Sequence, residues 1–306
     1  MPIRLSLFLL LAWCSFSAAH AQRDSLIKAI FPKGTVMHQN IPYAGDTEKK
    51  HLLDIYLPAN ATANTPLLVW VHGGGWMVND KYADMSYMNS TIRDIINNGY
   101  ALASIDYRFS SQAVFPAQVQ DCNLALEYLY QHAADYKLDK RKIGLIGFSA
   151  GGHLASLMGL SHNNSIKDFY TDGKKPSFSI RCVVDFYGPS DLIALGINPP
   201  ADTSLSNGRD ALSLLLGAMV VDRPDLAKRA SPITYVDKQD PPLIIIQGEK
   251  DDGVPNSQSK VLHSWLKLSG VPSELIVVPG APHFGVMFDA ADIRERIIGF
   301  LGKYLK

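Results

Sequence analysis

The sequence predicts a single α/β domain built on a mostly parallel sheet with helices on both faces. Three observations carry this. Short apolar, β-branched runs recur along the chain, they alternate with helical patterns, and most end in loops rich in glycine or proline. Strands covered on both faces read as continuous apolar runs rather than alternating ones, as these do. A length of 306 residues suits one large domain of this kind.

The chain opens with one positive charge in Met1 to Arg4, an apolar run from Leu5 to Ala12, and Ala19-His20-Ala21. These fit the three parts of a secretory signal peptide, so residues 1–21 are expected to be removed and 22–306 to form the domain. The apolar run is too short for a membrane span. Trp13 before Cys14 is too bulky for lipoprotein processing, so soluble export to the periplasm or medium is expected. Residues 22–50 lead into the first strands. Further strands are expected at 52–57, 67–71, 101–106, 143–146, 182–186, 243–246 and 275–278, with helical patterns at 119–134, 210–216 and 257–268. The widest gap between strands, about 191–240, has room for a small lid insertion but not for a large cap. Within it, Ile197 to Pro200 and Ser204 to Gly208 look like a mobile loop, and Leu212 to Leu216 is expected to pack on the sheet.

Charge narrows the partners. The chain has 29 Lys and Arg against 29 Asp and Glu, and losing Arg4 with the leader leaves a formal charge of −1. Such neutrality offers no electrostatic attraction to nucleic acid or an anionic membrane, so neutral small molecules or polymers are the expected substrates. Cys122 and Cys182 read as buried free thiols on a helix and a strand. No motif calls for a metal or a cofactor.

The chemistry concentrates where strands end. The run 142–146 enters Gly147-Phe148-Ser149-Ala150-Gly151, and a helical pattern follows. A strand, a glycine-flanked serine and a helix form a nucleophile elbow, a turn so tight that its flanking positions must be very small. Ser149 is therefore the candidate nucleophile, and it needs a base and an orienting acid. The strand at 243–246 runs into Gln247-Gly248-Glu249-Lys250-Asp251-Asp252, and the last strand ends in Pro279-Gly280-Ala281-Pro282-His283. His283 is the candidate base. Asp251 is the leading acid, with Asp252 next and Asp191 a rival from one strand earlier. The strand at 67–71 opens into His72-Gly73-Gly74-Gly75-Trp76, where glycines let backbone N–H groups approach a developing oxyanion. Gly74 and Gly75, with Ala150 after the nucleophile, are the expected donors. His72, Trp76 and His153 read as structural, and Asp106 with Arg108 as a structural charge pair.

These motifs, with Ser104-Ile105-Asp106-Tyr107-Arg108, Phe115-Pro116-Ala117, Tyr187-Gly188-Pro189-Ser190-Asp191 and Asp251 to Pro255, resemble α/β-hydrolase serine esterases. The nearest group holds bifunctional feruloyl and acetyl-xylan esterases and borders the hormone-sensitive-lipase-like carboxylesterases. The likeness runs from about Lys50 to Lys306. It implies a carboxylic-ester hydrolase acting on a small ester or an acylated polysaccharide, removing acetyl or feruloyl groups from plant-polysaccharide sugars. Gln247 departs from the family, which often has histidine there, and so does Ala281-Pro282, where glycine is commoner. Other expectations are a general short-chain carboxylesterase, an arylformamidase or peptidase-like hydrolase, and a catalytically silent carbohydrate-binding protein on the same fold.

Overall fold

A computed structural model of the chain describes residues 26–164, 166–174, 176–197 and 210–306. The expected signal peptide lies outside the described residues, as does the loop expected between 198 and 208. Eight strands form one sheet in the order β1-β2-β4-β3-β5-β6-β7-β8. They are β1 (Val36–Pro42), β2 (Leu52–Leu57), β3 (Thr65–Val71), β4 (Ala101–Ile105), β5 (Leu138–Phe148), β6 (Ile180–Phe186), β7 (Leu243–Gly248) and β8 (Ser273–Val278). β2 runs antiparallel to both β1 and β4, and every pair from β4 to β8 is parallel. Every expected strand forms. β5 starts earlier than its apolar run because Leu138 already pairs with Thr65. β1 is an edge strand with mixed burial, so it shows no continuous apolar run in the sequence.

Alternate residues of each strand feed two cores. Leu67, Val69 and Val71 face one layer, which also receives Val119 and Leu126 of the helix Ala117–Gln131 and Leu262 of the helix Ser257–Leu268. Leu68 and Trp70 face the other, covered by Ile92 and Ile95 of the helix Asn89–Asn97 and Ile297 and Leu301 of the helix Ala291–Tyr304. Each fully buried aliphatic side chain contributes on the order of 2 kcal/mol. The helix Ala150–Ser161 is buried along its whole length, which explains why it is apolar on all sides. Cys122 and Cys182 are free and buried, and burial pushes the Cys182 thiol up to about 12.

The topology gathers the site. β3 lies between β4 and β5, so the chain reverses its order across the sheet there, and a crevice opens outside the carboxyl ends of the strands. The register pairs Val71 with Gly147, Phe148 with Phe186, Phe186 with Ile246, and Gly248 with Val278. The loops after β3, β5, β6, β7 and β8 therefore leave one edge together.

The insertion between β6 and β7 carries short helices, Leu192–Ile197, Ala211–Leu216 and Pro224–Ala230. Asp191 starts the first by accepting the N–H groups of Ile193 and Ala194. Asp210 caps the second through Ser213 N–H at 2.6 Å, and Gly217 ends it in the left-handed region. Leu212, Leu215 and Leu216 are buried in the core beside the sheet, as expected. Among the described residues no helix is long and apolar enough to cross a membrane.

Candidate active site

The elbow forms between β5 and its helix. Ser149 holds φ 51° and ψ −117°, a strained backbone that a side chain tolerates only when its surroundings impose it. Its N–H donates to the Phe186 carbonyl at 2.9 Å, and its own carbonyl accepts from His153 N–H at 2.9 Å. A β-carbon on Gly147 would stand 2.1 Å from the Gly151 carbonyl oxygen, and one on Gly151 would stand 2.0 Å from that of Val71. Neither position admits any side chain, so the pentad's glycines follow from backbone contact.

The three expected side chains meet. Ser149 Oγ lies 2.8 Å from His283 Nε2, and His283 Nδ1 lies 2.8 Å from Asp251 Oδ2. A carboxylate only accepts, so the imidazole carries its proton on Nδ1 and offers Nε2 to the serine hydroxyl. The Asp251 side chain is fully buried, and it also accepts from Gln247 Nε2 at 2.7 Å and from the N–H groups of Gly253 and Val254. Asp252, the next choice, is exposed. Asp191 is a helix cap, turned to Ile193 and Ala194.

The glycine loop after β3 is pinned from behind. Gly73 N–H donates to Asp84 Oδ2 at 2.8 Å, and His72 Nδ1 donates to the Gly73 carbonyl at 2.7 Å. His72 is stacked on Tyr107, whose hydroxyl donates to the His72 carbonyl. Burial lowers the His72 pKa to about 4, so this imidazole stays neutral. Beyond Gly73 the backbone is held open: among the described residues, no protein acceptor meets the N–H groups of Gly74, Gly75 or Ala150. Three unpaired donors beside the serine are what a tetrahedral oxyanion requires. A β-carbon on Gly75 would touch Ala211, so the insertion abuts this loop.

Trp76 and His153 are structural, as read from the sequence. The Trp76 indole donates to His153 Nδ1 at 3.2 Å, which leaves Nε2 to donate to the Ala230 carbonyl at 2.8 Å. That tautomer is neutral, and burial lowers the His153 pKa to about 4. The pairing of Asp106 with Arg108 is corrected. Asp106 meets Lys50 at 3.2 Å and Lys81 N–H at 3.0 Å. Arg108 instead engages Asp121 with two nitrogens, at 2.7 and 2.9 Å. A guanidinium fork is matched by a carboxylate that faces it, and Asp121 on the neighbouring helix does so.

Two residues at the site, Asp84 and Tyr87, stood in no motif, and two more, Gln247 and Tyr187, stood in motifs without a role assigned to them. Gln247 closes an otherwise apolar strand, and a polar side chain there was the available signal. Its amide oxygen accepts from Ser259 Oγ at 2.6 Å, which turns the NH₂ toward Asp251. Among the described residues, no cluster of three or more His, Cys, Asp or Glu could hold a metal. A cavity of about 700 Å³ lies at the amino ends of β6 and β7, lined by Ile180, Arg181 and Pro242, on the edge of the sheet opposite the serine.

Comparison with known proteins places the chain. The BD-FAE family model matches residues 53–266. Esterase LipQ of Mycobacterium tuberculosis is 31% identical over 273 residues, covering 85% of this chain and 59% of that protein. The chain spans about half to three-fifths of the length of the curated relatives it matches. A truncated carbohydrate esterase from gut microbiota superposes with a TM-score of 0.78 at 31% identity, over 89% of this chain and 98% of that one. A bifunctional GH43-CE protein from Bacteroides eggerthii gives 0.77 at 33% identity, over 87% of this chain and 38% of that one. By this family match and by the α/β-hydrolase fold shared with these proteins, the chain belongs to the BD-FAE family.

Proposed function

We propose that the protein is a serine esterase that removes acetyl or feruloyl groups from plant-polysaccharide sugars. The observation that carries the reading is the line from Ser149 through His283 to Asp251, 2.8 Å at each step, with three backbone donors that meet no acceptor among the described residues. Ser149 Oγ attacks the ester carbonyl as its proton passes to His283 Nε2. The oxyanion then forms against the N–H groups of Gly74, Gly75 and Ala150, while Asp251 holds the imidazolium. Collapse expels the alcohol with the proton from His283 and leaves an acyl-Ser149. Water, giving its proton to His283, hydrolyses that ester and frees the acid. Family membership and the carbohydrate esterases among the structural neighbours support the acylated-sugar substrate. Export through residues 1–21 is proposed with it, since polymeric plant esters lie outside the cell.

The test combines labelling with a substrate panel. A fluorophosphonate should label the protein but not its Ser149→Ala variant, and His283→Ala should lose ester hydrolysis with the fold kept. A tenth of wild-type kcat in either variant would refute the assignment. With acetylated xylan, methyl ferulate and p-nitrophenyl esters of two to twelve carbons, kcat/KM should peak at short or aromatic acyl groups. Each CH₂ left in water forfeits about 0.8 kcal/mol. A maximum at eight carbons or beyond would indicate a general lipid esterase, and no turnover with no label a silent binding protein.

A further inference from the structure

The loop after β3 holds a second, half-buried carboxylate that the reaction above does not use. Asp84 Oδ2 accepts the Gly73 N–H at 2.8 Å, and Oδ1 accepts the Tyr87 hydroxyl. Because Tyr87 spends its proton there, the Tyr187 hydroxyl must donate to Tyr87, 3.0 Å away. The Tyr187 ring in turn meets the edge of His283, with ring centroids 4.9 Å apart. The chain of contacts thus joins the glycine loop to the imidazole by a path separate from Asp251. Two of its members are strained: Asp84 has φ 69° and Tyr187 φ 45°. Strain of this kind persists only where the surroundings over-determine the residue, and here it accompanies the strained Ser149.

Resting on the esterase reading, we infer that Asp84, with Tyr87 and Tyr187, is a positioning unit that seats the oxyanion loop and holds the Tyr187 ring against His283. Only an anion can take both donors at once. The Gly73 N–H and the Tyr87 O–H converge on one carboxyl group, and a carboxamide would have to turn its NH₂ against one of them. Seating Gly73 decides where the N–H groups of Gly74 and Gly75 point. The titratable groups around the imidazole are Asp251 from the loop after β7, Ser149 from the elbow, Tyr187 from the loop after β6, and Asp84 with Tyr87 from the loop after β3. Burial holds the Asp84 carboxyl above the usual carboxylate range, while the Gly73 N–H and the Tyr87 hydroxyl favour its ionised form.

Asp84→Asn tests this in the full chain with p-nitrophenyl acetate. The expected result is a kcat at least tenfold lower with KM within a factor of about three. A merely structural residue would lower the fraction of folded sites and not kcat per site, so active sites are counted by fluorophosphonate labelling. Tyr87→Phe, which removes one donor but keeps the Gly73 contact, should lower kcat less. A kcat per labelled site for Asp84→Asn within twofold of wild type overturns the inference. If Asp84→Asn does not fold, a kcat for Tyr87→Phe indistinguishable from wild type overturns it instead. Failure of the wild type to label with fluorophosphonate would strike the esterase reading, whereas labelling and turnover with an indifferent Asp84 would strike the positioning unit alone.

Discussion

The acid loop after β7 and the glycine loop after β3 solve opposite problems. Around Asp251 every polar demand is met: the carboxylate is out of water and takes four donors, from His283, Gln247, Gly253 and Val254. Around Gly74 and Gly75 the demand is left open, with N–H groups that meet no protein acceptor among the described residues. A buried anion is stable only when its lone pairs are occupied, whereas a site for a developing anion must hold donors in reserve. The serine stands between the two. In the proposed reaction the saturated loop orients the imidazole and the open loop receives the oxyanion.

The largest effect should come from breaking the saturated side. Asp251→Asn keeps the shape but turns an NH₂ group toward one of four donors, which disfavours the Nδ1–H tautomer of His283. We expect kcat to fall on the order of 10⁴-fold, with the fold intact. Asp252→Asn and Asp191→Asn should stay within about threefold of wild type, because the first is exposed and the second only caps a helix. Steady-state kinetics of the three variants decide it, and a dominant loss at Asp191 would move the acid to the loop after β6.

A smaller loss should follow from disturbing the open side. Gly74 has φ 118°, and a β-carbon there would stand 2.4 Å from the Val78 carbonyl oxygen. Gly74→Ala must displace the loop and turn its N–H groups from the serine. We expect a kcat loss of about 10²-fold with KM little changed, as when one oxyanion donor is removed. A raised KM with unchanged kcat would show that this loop binds substrate and transition state alike.

The smallest effect concerns stability and leaves the chemistry aside. His72 backs the glycine loop and His153 the elbow helix, and burial lowers each to about 4. Below pH 6.5 the unfolded chain binds protons that these folded imidazoles refuse, so stability should fall as pH drops toward 4. The shift corresponds to ~3 kcal/mol for each imidazole at most. Asp185 and Asp240, pushed up by burial to about 6 and about 7, act in the opposite sense: their contributions are present at low pH and are lost as pH rises through those values. Thermal melts from pH 7 to 4.5 read the sum of these opposed contributions. His153→Gln should lose less stability than the wild type as pH falls toward 4.5, and an identical slope in that variant would refute the account.

Much of this was legible because it is local. A buried parallel strand must be apolar throughout, so seven of the eight strands announced themselves, while the edge strand β1, only partly buried, did not. The elbow and the glycine loop were legible because backbone contact forbids side chains at their glycines. Asp251 was separable from Asp252 only by burial, since both sit in one loop and differ in which way they face. Arg108 was assigned the wrong partner because its true one, Asp121, comes from a helix that folds against it.

The sequence alone therefore determined seven strands of the sheet and the loops that carry Ser149, Asp251 and His283, because periodicity and glycine requirements act over a few residues. Tertiary structure decided which carboxylate meets His283, that Gln247 and Ser259 stand behind it, and that Asp84, Tyr87 and Tyr187 tie the glycine loop to the imidazole. Those contacts join residues as far as 100 positions apart, and only the close register of β3, β5, β6, β7 and β8 brings them within hydrogen-bonding reach.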